Sequence, residues 1–221
     1  MENKKRVTII ETTLVPLESL RNLFKEILPE VDLVCMVDDS LVKEMSEFGK
    51  VTPAVVRRYC NLAAEAERIG SCLIFNQCSS ISEVVDIAKN IVSIPILKQD
   101  QPMAEEAVKI GQRIGVVATA KTTIGPTSRL IESIAKQKRK EVDIIVKACK
   151  GAFELISRGD KKGHNDIVRR AVIELEEEAD VIVLAQGSMA EMLSELSDVK
   201  IPILTSPRSG VLRAKQILEK L

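Results

Sequence analysis

The stretch Cys72-Leu73-Ile74-Phe75-Asn76-Gln77-Cys78-Ser79-Ser80, residues 72–80, decides the fold of this chain. Its apolar residues 72–75 predict a short buried strand, and residues 81–90, which follow the polar turn, predict a helix. Backbone N–H groups lack partners at the start of a helix, and the helix dipole is positive there, so a negative charge is favoured. We therefore expect Cys78, which lies in this turn, to have a lowered pKa and to act as an acid, a base or a nucleophile.

The rest of the chain repeats the alternation of strand and helix. Further apolar segments predict strands at residues 7–10, 31–37, 94–97, 113–119, 142–146, 181–184 and 201–204. Proline and capping residues predict that helices open at Pro16, Thr52-Pro53, Pro102, Pro126 and Ser206-Pro207. Residues 158–165 predict an exposed loop, and a helix is expected from about residue 166 to 178. This alternation predicts an α/β fold in which helices cover both faces of a parallel sheet.

An internal duplication organises the chain into two halves. Phe75-Asn76-Gln77-Cys78-Ser79 aligns with Leu184-Ala185-Gln186-Gly187-Ser188 at an offset of 109 residues, and residues 7–12 align with 114–119 at an offset of 107. We expect a first α/β lobe of residues 1–98 with the C-terminal helix at about 206–221, and a second lobe of residues 99–205. Ligands of parallel sheets bind beyond the carboxyl ends of the strands, so we expect one active-site cleft between the lobes.

Composition excludes several classes of function. Aromatic residues make up only 2% of the chain and the formal net charge is +0, whereas nucleic-acid binders need aromatic faces or a basic excess. No segment approaches the roughly 20 apolar residues that a membrane span requires. The N-terminus leads into a short apolar segment, residues 7–10, which we interpret as a strand rather than a signal peptide. We expect a cytoplasmic protein that binds neither nucleic acid nor membrane.

The cysteine and histidine content narrows the chemistry further. Five cysteines without CxxC spacing disfavour both a disulfide framework and a metal site. Cys35, Cys60 and Cys72 lie in apolar runs, where buried thiols are expected in a reduced, cytoplasmic protein. His164 is the only histidine and falls in the predicted loop, so a relay with cysteine or serine lacks a well-placed base. No GxGxxG or P-loop follows a strand, which leaves Cys78 as the candidate catalytic group.

Small polar residues collect where the predicted strands end. They are Thr12, Thr13, Asn76, Gln77, Cys78, Ser79, Ser80, Thr119, Thr122, Thr123, Gln186 and Ser188. Hydroxyl and backbone N–H groups of this kind can cradle a carboxylate or a phosphate. The same residue types also cap helices, so each one taken alone fits a capping role. Their presence at four strand ends favours a binding site.

With these motifs, Asn76-Gln77-Cys78-Ser79-Ser80 and Ala118-Thr119 with Thr122-Thr123, the chain resembles the aspartate/glutamate/hydantoin racemase superfamily over essentially its whole length. The resemblance implies two Rossmann-like (flavodoxin-like) halves related by a pseudo-two-fold, no cofactor, and often a homodimer or higher homo-oligomer. It implies that a small carboxylate substrate loses and regains its α-proton between two cysteines, one from each half.

Carried over to this sequence, the resemblance assigns Cys78 as the catalytic acid and base. It assigns substrate binding to Thr12, Asn76, Ser79, Ser80, Thr119, Thr122, Thr123, Gln186, Gly187 and Ser188. The chain departs from the family at the second cysteine, because Gly187 and Ser188 occupy that position and Cys149 lies outside the motif. A serine hydroxyl has a pKa far above the roughly 8.5 of a free thiol and replaces it poorly.

Three functions therefore stay open. The first is a racemase or isomerase that transfers a proton at the α-carbon through Cys78. The second is a decarboxylase or other lyase that protonates one face of a carbanion, as arylmalonate decarboxylases do with a cysteine in the opposite half. The third is a non-catalytic protein that binds a small carboxylate. A thiol redox function is weaker, since no resolving cysteine lies near Cys78 in the sequence.

Overall fold

The computed structural model describes residues 4–13 and 17–221, which form two parallel four-stranded sheets with helices on their faces. The first sheet contains β1 (Arg6–Glu11), β2 (Asp32–Val37), β3 (Leu73–Asn76) and β4 (Ile96–Lys98). The second contains β5 (Arg113–Ala118), β6 (Asp143–Ala148), β7 (Val181–Leu184) and β8 (Ile203–Leu204). The predicted α/β class with two similar parallel-sheet halves is confirmed.

Helices follow the strands in the alternation that the sequence predicts. In the described part of the chain they are α1 (Leu17–Ile27), α2 (Ser40–Phe48), α3 (Pro53–Arg68), α4 (Ser82–Ala88), α5 (Gln101–Ile110), α6 (Lys121–Gln137), α7 (Ala152–Ser157), α8 (Lys161–Glu176) and α9 (Ser206–Leu218). Two 3-10 segments, Ser79–Ile81 and Gly187–Leu196, follow β3 and β7. Among the helices that the structure describes, none is long and apolar enough to cross a membrane.

The chain divides into two compact units, of which the first is Met1–Gln99 with Pro207–Leu221. Its strands run in the order β2-β1-β3-β4. One face of this sheet packs against α1 and α9, where the rings of Phe24 and Phe75 meet edge to face at 5.1 Å. The other face packs against α2, α3 and α4. The central strands β1 and β3 are covered on both faces, which explains why both read as nearly continuous apolar runs.

The second unit, Asp100–Ser206, has the equivalent strand order β6-β5-β7-β8. Its sheet packs on one face against α5 and α6, and on the other against α7, α8 and the 3-10 segment after β7. In a sheet of this order, the strand order reverses between the two central strands, where open α/β sheets bind ligands. The carboxyl ends of β1 and β3, and those of β5 and β7, flank these two points.

Three helix starts that the sequence predicts are seen in the structure, and one of them is Ser206, the first residue of α9. The Thr52 hydroxyl accepts a hydrogen bond from the backbone N–H of Val55 at 3.2 Å, as an N-cap residue does. Pro102 lies in the first turn of α5, which ends before Gly111. The start predicted at Pro16 lies outside the described residues.

Two other predictions about helix starts are wrong. Helix α6 begins at Lys121, so Pro126 lies inside it rather than opening it. The Thr123 hydroxyl donates to the carbonyl of Ala120 at 2.8 Å and secures the first turn, after which the helix continues past the proline. The predicted loop at 158–165 is largely helix α8, because Asp160 accepts the Gly163 N–H at 2.8 Å and caps it.

Candidate active site

The first unit brings the ends of β1 and β3 together at the point where its strand order reverses. Ile10 pairs with Asn76 across the two strands, and the N–H of Gln77 donates to the Ile10 carbonyl at 3.2 Å. Glu11 is therefore the last residue of one strand, and Cys78 lies two residues beyond the other. Adjacent parallel strands end at the same edge of a sheet, so these two side chains share a site.

Cys78 has extended backbone geometry, with φ −87° and ψ 115°, and its side chain is half-buried at the start of the 3-10 turn. Burial raises the pKa of the Cys78 thiol to about 11, and the charge of Glu11 raises it further. The Thr12 hydroxyl and the N–H groups of Ser80 and Ile81 act in the opposite direction. The predicted lowering of the pKa is therefore wrong.

The reason lies in the local structure. Cys78 is followed by a three-residue 3-10 turn and the seven-residue α4 rather than by one continuous helix from residue 81 to 90. The hydrogen-bond donors at this turn are too few to outweigh the cost of placing a thiolate in a site with little access to water. Cys78 consequently rests as a protonated thiol at neutral pH.

Glu11 is the group that the sequence analysis missed. Its side chain is buried, and its Oε1 accepts the N–H groups of Thr12 at 2.8 Å and Thr13 at 3.0 Å. Its Oε2 has no hydrogen-bond partner among the residues that the structure describes. Burial raises the pKa of Glu11 from 4.5 to about 7, since it outweighs these hydrogen bonds. A carboxyl group that titrates near neutrality beside a thiol is suited to proton transfer. The signal for this role in the sequence is an acidic residue at the end of an apolar strand.

Thr12 connects these two groups. Its backbone N–H donates to Glu11, and its fully buried side chain places the hydroxyl against the Cys78 thiol, where it lowers the thiol pKa. Within the described part of the chain, this hydroxyl oxygen makes no hydrogen bond of standard geometry. Ser79 and Ser80 are also buried, and the backbone N–H of Ser80 faces the Cys78 sulfur. Thr12, Cys78 and Ser80 thus come together.

Asn76 lies beneath this site and uses its polar atoms within the protein. Its Oδ1 accepts the hydroxyl of Tyr59 at 3.0 Å, and its Nδ2 donates to the carbonyl of Cys78 at 3.1 Å. Its side chain is only 1% exposed. These contacts fit a role in holding the turn, which differs from the predicted role in binding substrate.

The second unit places its predicted residues at the ends of β5 and β7. Gln186 and Thr119 form a closed pair: Gln186 Oε1 accepts the Thr119 N–H at 2.7 Å, and Gln186 Nε2 donates to Thr119 Oγ1 at 2.7 Å. Thr122 and Thr123 lie in the first turn of α6. Gly187 begins the 3-10 segment. Ser188, the next residue, is exposed.

The remaining candidates of the second unit are packed inside it. Cys149 is buried in an apolar cluster with Val117, Met189 and Leu184, and burial raises the pKa of its thiol to about 11. His164 lies in α8 and is 5% exposed, with its Nδ1 at 2.9 Å from Asn165 Oδ1. The prediction of a solvated loop histidine is therefore wrong, because the Asp160 cap extends the helix around it.

Within residues 4–13 and 17–221, no group of three or more His, Cys, Asp or Glu side chains is arranged to hold a metal ion.

Comparisons with known proteins agree with this architecture. A family model described as Asp/Glu/Hydantoin racemase matches residues 7–214. No curated protein matches the sequence.

Solved structures share the fold at low identity. A glutamate racemase from Bacillus anthracis is 15% identical, with a TM-score of 0.78 over 100% of this chain and 83% of that chain. An aspartate racemase homologue from Pyrococcus horikoshii is 18% identical, with a TM-score of 0.73 over 97% and 99% of the two chains. An allantoin racemase from Klebsiella pneumoniae is 13% identical, with a TM-score of 0.70 over 98% and 89%.

Proposed function

We propose that this chain, which belongs to the Asp/Glu/Hydantoin racemase family, is an isomerase-type enzyme. In this proposal it moves a proton at the α-carbon of a small carboxylate through Cys78 and uses no cofactor. One observation carries the proposal: a half-buried thiol lies beside a carboxyl group with a pKa of about 7, where the strand order of the first sheet reverses. The structures with this fold are named for glutamate, aspartate and allantoin, so the fold alone does not select the substrate.

The resting protonation states define the first step of this mechanism. At neutral pH the Cys78 thiol is protonated, and part of the Glu11 population is ionised. Ionised Glu11 accepts the thiol proton, and the thiolate then removes the α-proton of the substrate. The S–H bond forms as the C–H bond breaks, and the electron pair moves into the substrate carboxylate as an enediolate.

In the second step the S–H bond of Cys78 breaks as the C–H bond forms, which returns the proton to the same face of the carbon. Inversion would need a donor on the opposite face, where the family has its second cysteine and this chain has Gly187 and Ser188. Hydrogen-bond donors aimed at the developing enediolate supply the main stabilisation in reactions of this type. The hydroxyl of Thr12 and the backbone N–H groups of Ser80 and Ile81 are donors that face the Cys78 sulfur in the first unit. The resemblance to the family assigns the same role to the hydroxyl groups of Thr119, Thr122 and Thr123, of which that of Thr123 donates to the Ala120 carbonyl in this structure.

A second candidate is a one-faced lyase of the arylmalonate decarboxylase type, and Gly187 is the observation that favours it. The duplication places Gly187 where a second cysteine would lie, and Cys149 is packed in an apolar cluster. A protonated Cys78 is ready to donate to a carbanion that decarboxylation creates. The same glycine also favours a third candidate, a carboxylate-binding protein without turnover.

The test is exchange of the α-proton in heavy water, followed by NMR for both enantiomers of glutamate, aspartate and allantoin, with substituted malonates tested for decarboxylation. Exchange with inversion supports a racemase, while exchange with retention or malonate decarboxylation supports one-faced chemistry. Binding without either reaction favours the third candidate. A Cys78→Ser variant that keeps the wild-type exchange rate contradicts both enzymatic candidates.

A further inference from the structure

Tyr59 is the only tyrosine of the chain, and it lies on α3 with no exposed surface. Its ring packs in the apolar cluster that contains Ile10, Ile74 and Ile81. A phenol hydroxyl is costly to bury without a partner. Here it donates to Asn76 Oδ1 at 3.0 Å, and its pKa is raised well above 10 by burial, so it stays a donor.

The side-chain amide of Asn76 links Tyr59 to the turn that contains Cys78. A backbone carbonyl can only accept, so the atom that faces the Cys78 carbonyl at 3.1 Å must be the Nδ2 donor. The amide oxygen then has to face Tyr59. Asn76 itself is the last residue of the central strand β3, where it pairs with Ile10 on one side and Lys98 on the other. Its backbone carbonyl accepts the Gln99 N–H at 2.9 Å.

The bond from Asn76 is the shorter of two that hold the Cys78 carbonyl. The other comes from the N–H of Ile81 at 3.4 Å, at the outer limit for such a bond. The orientation of the Cys78 peptide determines where its side chain points. That direction sets the contacts of the sulfur with the Thr12 hydroxyl and the Ser80 N–H, which lower the thiol pKa.

The second unit provides an internal comparison. At the offset of 109 residues, Ala185 takes the place of Asn76 and Gly187 takes the place of Cys78. Ala185 is buried in an apolar cluster and has no polar side chain. The amide is thus present in the unit whose turn contains a cysteine and missing in the unit whose turn has glycine at that position.

We propose that Tyr59 and Asn76 form a positioning pair, which holds the Cys78 turn so that the thiol faces Thr12 and the N–H groups of the 3-10 turn. This inference rests on the proposed function of Cys78 for its catalytic meaning. Both side chains are buried and use these polar atoms within the protein, so we assign them a positioning role. Removal of the Tyr59 hydroxyl leaves the Asn76 oxygen buried without a donor, the amide loses its fixed orientation, and the Cys78 peptide is freed.

The test compares Tyr59→Phe with Thr8→Val. The Thr8 hydroxyl lies 2.6 Å from that of Ser71, so the control also removes one buried hydrogen bond from the first unit, in β1 away from the turn. The rate of Cys78 alkylation by iodoacetamide is measured against pH by mass spectrometry of the Cys78 peptide, with thermal unfolding alongside. This measurement needs no substrate.

We expect Tyr59→Phe to slow Cys78 alkylation at about pH 9 by roughly three- to tenfold, because the thiolate loses hydrogen bonds that favour it. Thr8→Val should leave that rate unchanged while lowering the melting temperature to a similar extent. On an active substrate, Tyr59→Phe should lower kcat more than it raises KM. An alkylation rate in Tyr59→Phe equal to or above that of Thr8→Val would overturn the positioning role. Turnover that survives in Cys78→Ser would overturn the proposed function alone.

Discussion

Replacement of Glu11 by glutamine should raise the unfolding free energy relative to wild type, and this difference should grow as pH rises. The pKa of Glu11 is raised from 4.5 to about 7 in the folded chain, so the folded state holds the proton more tightly than the unfolded state. Its contribution to stability is fully present below pH 4.5 and is lost as pH rises through about 7. At about 1.4 kcal/mol per pKa unit, the loss amounts to about 3 kcal/mol.

The substitution is close to isosteric with the protonated acid. Glutamine keeps an oxygen that can accept from Thr12 and Thr13, and its amide nitrogen takes the place of the oxygen without a partner. Unfolding by urea is measured at about pH 4.5 and about pH 8, with far-ultraviolet circular dichroism because the chain has no tryptophan. The difference in unfolding free energy between Glu11→Gln and wild type should grow by about 3 kcal/mol between these pH values.

The control is Glu26→Gln, since the exposed Glu26 has a pKa lowered by hydrogen bonding to Arg208. A lowered pKa gives stability that is present at high pH and lost as pH falls, so this variant should show the opposite sign. The difference in unfolding free energy between Glu11→Gln and wild type could instead stay constant or fall as pH rises. That result would show that Glu11 is not a buried acid that prefers its protonated form.

The same variant separates the reactivity of the thiol from its catalytic use. The Glu11 charge raises the pKa of Cys78, so Glu11→Gln should speed alkylation of Cys78 at about pH 9. Exchange of the α-proton should nevertheless fall by roughly 10²-fold or more, since the group that accepts the thiol proton is gone. An exchange rate that rises together with the alkylation rate would exclude Glu11 as that acceptor.

Two further predictions concern single groups. Wild-type Cys78, with a pKa of about 11 against an ordinary 9.0, should alkylate roughly 100-fold more slowly than a free cysteine near pH 8; a rate close to that of free cysteine would contradict the burial of the thiolate. Gln186→Leu should lower the unfolding free energy by about 1–3 kcal/mol, because the Thr119 N–H and hydroxyl lose their partner, while Cys78 alkylation stays unchanged. A Gln186→Leu variant as stable as wild type would show that the Gln186–Thr119 pair makes no net contribution to the unfolding free energy.

The strands were the most predictable part of the fold. Each central strand is covered on both faces, so burial alone produces a continuous apolar run such as residues 181–184. Helix starts were less predictable where two local signals compete. Pro126 marks a start in isolation, yet the bond from Thr123 to the Ala120 carbonyl begins the helix earlier. The charged residues around His164 predict a loop. The cap that Asp160 provides instead places them in the first turn of α8.

The candidate site was predictable in place but not in its electrostatics. A cysteine directly after a strand can be read from the sequence, whereas the degree of burial that sets its pKa depends on the packed structure. The place of Glu11 at the end of an apolar strand is visible in the sequence, but nothing local shows that its side chain turns inward. Tyr59 could not be recognised, because nothing local shows that a helix residue bonds to Asn76, 17 positions along the chain.

The most direct test of the central claim is α-proton exchange in heavy water by wild type and Cys78→Ser on the same substrate panel. Serine keeps the shape of the side chain but removes the thiol proton donor. We expect exchange or decarboxylation by wild type and a loss of roughly 10²- to 10⁴-fold in the variant. Equal rates in the two proteins would show that the reaction does not pass through Cys78.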